Sequence, residues 1–247
     1  MPVTLSSIAA STLTGSQASG QTGIDRVTQA FQKADKRIQQ QRDLASVQLS
    51  SFGRLKSAFA GTEAAASGLK SITSASSAAD VRAATGTFVK AFNSAVETAR
   101  AAAAQSGAPV ESNRARAAET ELRRSVNADA ASAELRKIGI TRQANGTLAL
   151  DSKVFDTALD TDPGTVRSTL SRIGQQVGQT ATGQLADGGN IGRAVNALSD
   201  RAISLEVRQA EQQALARTGQ RNISAQTNRF ATSLNSGAAA YERIFST

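Results

Sequence analysis

The chemistry open to this sequence is narrow. Its 247 residues include no His and no Cys. That removes imidazole bases and ligands, thiol nucleophiles, thiolate metal sites and disulfides together. What remains is charge, 28 Lys and Arg against 20 Asp and Glu for a net +8, and a few local patterns. Arg114, Arg116, Arg123, Arg124, Arg136 and Lys137 gather in one stretch, offset in part by Glu119, Glu121 and Glu134. Such a cluster could hold phosphates, but nucleic-acid binders add a reading motif or stacking aromatics, and neither accompanies it. We read it as a solvated face and expect no specific nucleic acid as partner. Gly188-Gly189-Asn190-Ile191-Gly192 has the glycines of a phosphate loop. It lacks the preceding strand and the Lys-Ser/Thr pair such a loop needs. No catalytic, metal or cofactor-binding residue is expected, and no cofactor; an enzyme is not the expected reading.

The elements that carry these charges come from apolar spacing. Leu, Ile, Val and Phe together make up about a fifth of the chain, close to the composition at which a packed core becomes hard to build. Alanine is abundant, which suits long helices. The fold class predicted is mainly α, with long antiparallel N- and C-terminal helices resembling a coiled coil and a small helical domain carrying one β-hairpin. Residues 1–22, rich in Ser, Thr, Gly and Gln, read as a disordered arm. From there Ile24, Phe31, Ile38, Ala45, Phe52, Phe59 and Ala66 recur every seven residues, with Val27, Ala34, Gln41, Gln48, Leu55, Thr62 and Leu69 as the companion set. These are a and d positions of one heptad helix over 23–72. A second stripe, Ile191, Val195, Leu198, Ala202 and Leu205, continues through Gln209, Gln212, Ala216, Ile223 and Phe230 in a C-terminal helix over 188–247. Pairing the two antiparallel would oppose their glutamine-rich middles. The seam candidates for packing or self-association are Ile24, Val27, Phe31, Ile38, Phe52, Leu55, Phe59, Leu69, Ile191, Val195, Leu198, Leu205, Ile223 and Phe230.

Residues 80–187 read as the small domain. Asp80 is expected to cap a helix bearing Val81, Phe88, Val89, Phe92 and Val96, and a second helix is expected from about 113 to 137. Asn145-Gly146 lies between alternating segments in 139–151, the signature of a hairpin turn. A three-residue loop, Ala144-Asn145-Gly146, pairs Ile140 with Leu150 and puts both apolar sets on one face, so that register is preferred. Asp151-Ser152 and Asp162-Pro163 each open a further helix, and Gly174, Gly178 and Gly183 are expected to loosen the last of these. No run approaches the ~18 apolar residues of a membrane span. The N-terminus lacks the basic and apolar regions of a cleaved secretory signal.

Several of these stretches are similar to one family. Leu135-Arg136-Lys137-Ile138-Gly139-Ile140, Asn145-Gly146-Thr147-Leu148-Ala149-Leu150-Asp151, then Phe155, Ala158-Leu159, Asp162-Pro163 and Val166 resemble the "IGI…G-L-LD…AL…DP…V" run of the bacterial flagellar filament-capping proteins, the hook-associated protein 2 family. Gly23-Ile24-Asp25 and Phe52-Gly53-Arg54-Leu55-Lys56-Ser57-Ala58-Phe59 resemble the start and continuation of its first helix. Phe88-Val89-Lys90-Ala91-Phe92-Asn93 is similar to its "FV..YN" helix. The motifs cover roughly residues 23–173 in the family's order. In place of the long β-rich insertion typical of the family stands only the small-residue linker 73–79.

The resemblance implies a short-form structural protein that helps flagellin assemble at the filament tip. It implies a homo-oligomeric ring as one partnership and flagellin or hook–filament junction proteins as another, with an export chaperone. It also implies export through the flagellar type III apparatus to an extracellular place on the flagellum. The reading that stands beside it is a basic coiled-coil protein binding nucleic acid or an acidic protein partner, whose affinity would fall steeply with salt.

Overall fold

The computed structural model describes residues 6–127 and 129–245, with side chains described at 26, 28–127, 132–233, 235–237 and 239. Among these residues the order is α1 Ser6–Lys70, α2 Ala78–Gln105, α3 Pro109–Arg124, α4 Asp129–Lys137, β1 Ile140–Arg142, β2 Leu148–Leu150, α5 Ser152–Thr161, α6 Pro163–Leu185 and α7 Asn190–Phe245. The fold is mainly α with one antiparallel hairpin, as expected. Two compact units divide it: Leu44–Ala202, and Met1–Asp43 together with Ile203–Thr247.

The arm expected over 1–22 is corrected from residue 6 onward, because α1 begins at Ser6. No proline stands between Ser6 and Lys70. Once a helix is nucleated, each added residue brings its own hydrogen bond, so a polar but unbroken stretch extends it. The uninterrupted backbone thus outweighs a composition that predicts no core.

In the unit Leu44–Ala202, the second half of α1 follows its heptad closely. Ala45, Phe52, Leu55, Phe59, Ala66 and Leu69 are all buried. They meet the apolar stripe of α2, where Phe88 and Phe92 lie 6.1 Å apart and tilted. Of the two polar residues in this part of the seam, Gln48 and Thr62, Thr62 places its hydroxyl 3.0 Å from both the Ala58 carbonyl of its own helix and the Ala91 carbonyl of α2. A buried hydroxyl so partnered avoids the desolvation cost of an orphan.

Three local expectations change here. The cap of α2 is Ser77 rather than Asp80; Asp80 is its third residue and returns the bond, closing a capping box. The single helix expected over 113–137 is two, α3 and α4. Pro109 opens α3 at a position needing no N–H, and Ser125 closes it by donating its hydroxyl to the Leu122 carbonyl at 2.6 Å. Gly174 does not loosen α6. A Cβ there would stand 2.5 Å from the Ala66 carbonyl oxygen and 2.8 Å from Leu69 Cβ, so the glycine lets α6 and α1 approach backbone to backbone.

The hairpin has the expected register, Ile140 opposite Leu150 and Arg142 opposite Leu148. Gln143 N–H donates to the Thr147 carbonyl at 2.8 Å, which closes Ala144-Asn145-Gly146 as a three-residue loop. Gly146 takes φ +79°, the left-handed value this bulge demands of its last residue.

Candidate assembly surfaces

Apart from Gly23-Ile24-Asp25, which belongs to the other unit, the motifs similar to one family lie in the unit Leu44–Ala202. Asn93, at the end of the Phe88–Asn93 motif, turns its carboxamide onto β2. Its Nδ2 donates to the Leu148 carbonyl at 2.8 Å, and its Oδ1 accepts the Leu148 N–H at 2.7 Å. A side chain thus takes the place of a third strand and satisfies both main-chain groups on the outer edge of the hairpin. Gly139 has φ +77°. A Cβ on it would lie 2.8 Å from the Asp151 carbonyl oxygen, and its own carbonyl accepts the Asp151 N–H at 2.8 Å. Asp151 then caps α5 through the N–H groups of Lys153 and Val154, at 3.0 and 3.2 Å. Asp162 caps α6 through Thr165 N–H at 3.0 Å. Those bonds from Thr165, with a weaker one from Gly164, hold the Asp162 carboxyl below the usual carboxylate range.

Asn93, Gly139, Asp151 and Asp162 therefore each have a definite local task, and the tasks link α2, the hairpin, α5 and α6 in chain order. The family model described as "Flagellar hook-associated protein 2 C-terminus" matches residues 65–247, about three quarters of the chain. The chain belongs to this family. Neither the search of curated proteins nor that of solved structures gives a match.

In this hook-associated chain several arginines of the α2–α3 region stand in ion pairs. Arg100 donates to Glu119 through Nε and Nη2, at 3.0 and 2.8 Å, and Arg123 lies 3.5 Å from the same carboxylate. Arg124 pairs with Glu121 at 2.6 Å and Arg114 with Glu111 at 3.9 Å. Arg82 meets Asp156, a bond that raises its pKa above the ordinary arginine value. The run of cations seen in α3 is thus interleaved with acids, whereas a phosphate-tracking groove needs unpaired charge along one line. Among the described residues no cluster of acids could hold a metal, and no helix is long and apolar enough to cross a membrane.

The seam candidates fall into four groups. Phe52, Leu55, Phe59, Leu69, Ile191 and Leu198 are buried in the unit Leu44–Ala202, and Val195 packs against the same core. Leu205 is buried in the other unit, where Phe31, Ile38 and Ile223 are half-buried. The side chains of Ile24 and Val27 lie outside the described residues. Phe230 is 71% exposed, so no part of the described chain covers it. It occupies the position seven after Ile223.

In the unit of Met1–Asp43 with Ile203–Thr247, the two helix segments are tied by Gln209. Its carboxamide accepts from Arg42 and donates to Gln39 at 3.2 Å and to Asp35 at 3.5 Å. The contact lies near the end of one segment and the start of the other, so segments lying side by side must run antiparallel. Gln41, expected in the seam, is exposed, and Arg42 takes the inward place. Here the half-buried line steps through Phe31, Asp35, Ile38 and Arg42. The competing polar choices, Gln41 or Arg42, differ only in which can reach Gln209, and nothing within one helix decides that. Gln48 is buried elsewhere, against Gly107. In the sequence Glu119 stands only as an offset to neighbouring arginines and Asn93 only as the end of a family-like motif, while Arg100 carries no signal of its own.

Proposed function

We propose that this chain is a compact axial protein of the flagellum, acting at the filament tip or the hook–filament junction, where copies associate through the helix pair formed by the two chain ends. The observation that carries this reading is the unfinished seam of that pair. Among its described residues Leu205 alone is buried, while Phe31, Ile38, Ala216 and Ile223 are only half-covered and Ile203, Val207, Leu215 and Phe230 are more than half exposed. Two helices leave such an apolar line half-wet. Further helices complete it, as they do in bundles, and the chemistry of the missing helices is that of the same pair in other copies. Gln209 with its three partners would fix the register of that pair before assembly.

On this reading flagellin is the subunit held at the tip, the protein works outside the cell, and a chaperone covers the apolar line before export. The test is assembly. The full chain is examined by light scattering over a concentration series and a salt series, and a deletion strain is complemented with wild type or with Phe31→Asp and Ile223→Asp. Loss of higher oligomers and of filaments, with flagellin released into the medium, is expected of the variants. Assembly that falls steeply with salt, or variants that oligomerise and swim normally, would overturn the reading.

A further inference from the structure

The hairpin turn holds the only Asn-Gly step in the chain, and its hydrogen bonds engage both groups through which such a step reacts. Gly146 N–H donates to the Gln143 carbonyl at 2.8 Å. Asn145 Oδ1 accepts from Thr147 N–H at 3.1 Å and from the Thr147 hydroxyl at 2.6 Å. Arg100, held by Glu119, donates to the Asn145 main-chain carbonyl. Gly146 sits on the Arg123 guanidinium so closely that a Cβ would be 2.5 Å from Nε. Asn145 itself is exposed to water, so protection here comes from bonding and not from burial.

We infer that Asn145 is a spontaneous deamidation site which the folded turn holds shut and hairpin opening releases. With the turn open, solvent base takes the Gly146 amide proton and that nitrogen attacks Asn145 Cγ. The new N–Cγ bond closes a five-membered imide. The Cγ–Nδ2 bond breaks, and the nitrogen takes up a proton and leaves as ammonia. Water then opens the imide at either carbonyl. Amide and water become acid and ammonia, and nothing is oxidised or reduced. The missing side chain at Gly146 is what leaves its nitrogen accessible to this attack.

The two products have different fates in this fold. An aspartate at position 145 keeps an acceptor for Thr147, so the turn can re-form. An isoaspartate adds a main-chain carbon to a three-residue loop, and Ile140 can no longer stand opposite Leu150. Once that product forms, Leu148 loses its place against Asn93. Hairpin opening therefore leaves a lasting chemical record.

The experiment incubates the full chain at mildly alkaline pH, native and in guanidinium, and follows position 145 by peptide mapping with isoaspartate detection. Wild type is expected to react at least roughly tenfold more slowly when native, since each retained hydrogen bond lowers the open fraction several-fold. Thr147→Val, which removes the hydroxyl donor and keeps the shape, is expected to speed the native reaction several-fold and leave the denatured rate alone. Equal native and denatured rates in wild type would overturn the inference without any variant. A folded Thr147→Val chain, verified by circular dichroism, that reacts no faster than wild type would also overturn it.

Discussion

Replacing Asn93 by Ala tests the join on which the hairpin depends. Leu148 is 3% exposed, and both of its main-chain groups are satisfied by one carboxamide at 2.7 and 2.8 Å. Truncation leaves a buried N–H and a buried carbonyl facing α2 with no partner. At about 1–3 kcal/mol for each orphaned group, the loss comes to about 2–6 kcal/mol, reduced to the extent that water enters. A domain of this size holds only about 5–15 kcal/mol in total, so the midpoint of guanidinium unfolding should move clearly while its slope stays the same. Asn93→Asp separates hydrogen bonding from shape. It keeps the acceptor for the Leu148 N–H but sets a second oxygen against the Leu148 carbonyl, so it should rescue little. Hydrogen exchange locates the effect, and the amides of Gln143 and Leu148 should lose protection before those of α2. An alanine variant within about 0.5 kcal/mol of wild type, with hairpin exchange unchanged, would refute the claim that Asn93 acts as the missing strand.

Gly174→Ala should destabilise by about 1–3 kcal/mol, because the new methyl meets the Ala66 carbonyl at 2.5 Å, whereas Gly178→Ala, at 3.7 Å from Ala66 Cβ, should be close to neutral in the same unfolding assay. Phe59→Asp puts a charge where the native ring is 0% exposed and should cost more than about 4 kcal/mol; Phe52→Asp should behave alike by circular dichroism. Phe230→Ser, on a ring that is 71% exposed, should leave monomer stability within about 0.5 kcal/mol. The Asp162 carboxyl has a folded pKa depressed below its unfolded value. Its contribution is complete above the unfolded value and is lost as pH falls through the folded one, so α6 should loosen only below the usual carboxylate range. Asp162→Asn should abolish that acid step while keeping a cap, which exchange of the Thr165 amide against pH would reveal.

Much of the secondary structure was legible because its causes are local. The heptad from Ala45 to Leu69 is buried almost position for position, since a seven-residue apolar repeat leaves a helix only one face to bury. The hairpin register followed from Asn145-Gly146 and from keeping Ile140 and Leu150 on one face. Asp151 and Asp162 were readable as caps because a capping carboxylate acts within three residues. Phe230 shows the limit of such reading: it continues the periodic stripe, yet periodicity records what a helix could bury, not whether a partner stands opposite. The break between α3 and α4 was equally out of reach, because Ala- and Glu-rich segments favour helix on both sides of Ser125.

From its own order of residues this chain determines that it is helical, that it carries one three-residue turn, that it has neither imidazole nor thiol chemistry, and that its motifs follow those of one flagellar family. These are properties of neighbours along the backbone. The tertiary structure alone decided that Asn93 would serve as a strand edge, that Arg42 rather than Gln41 would meet Gln209, that Glu119 would hold two arginines beneath the turn, and that Gly174 marks a close crossing. Each of those depends on which distant group stands opposite, and the free energy of a polar or small residue is set by that partner far more than by the residues beside it.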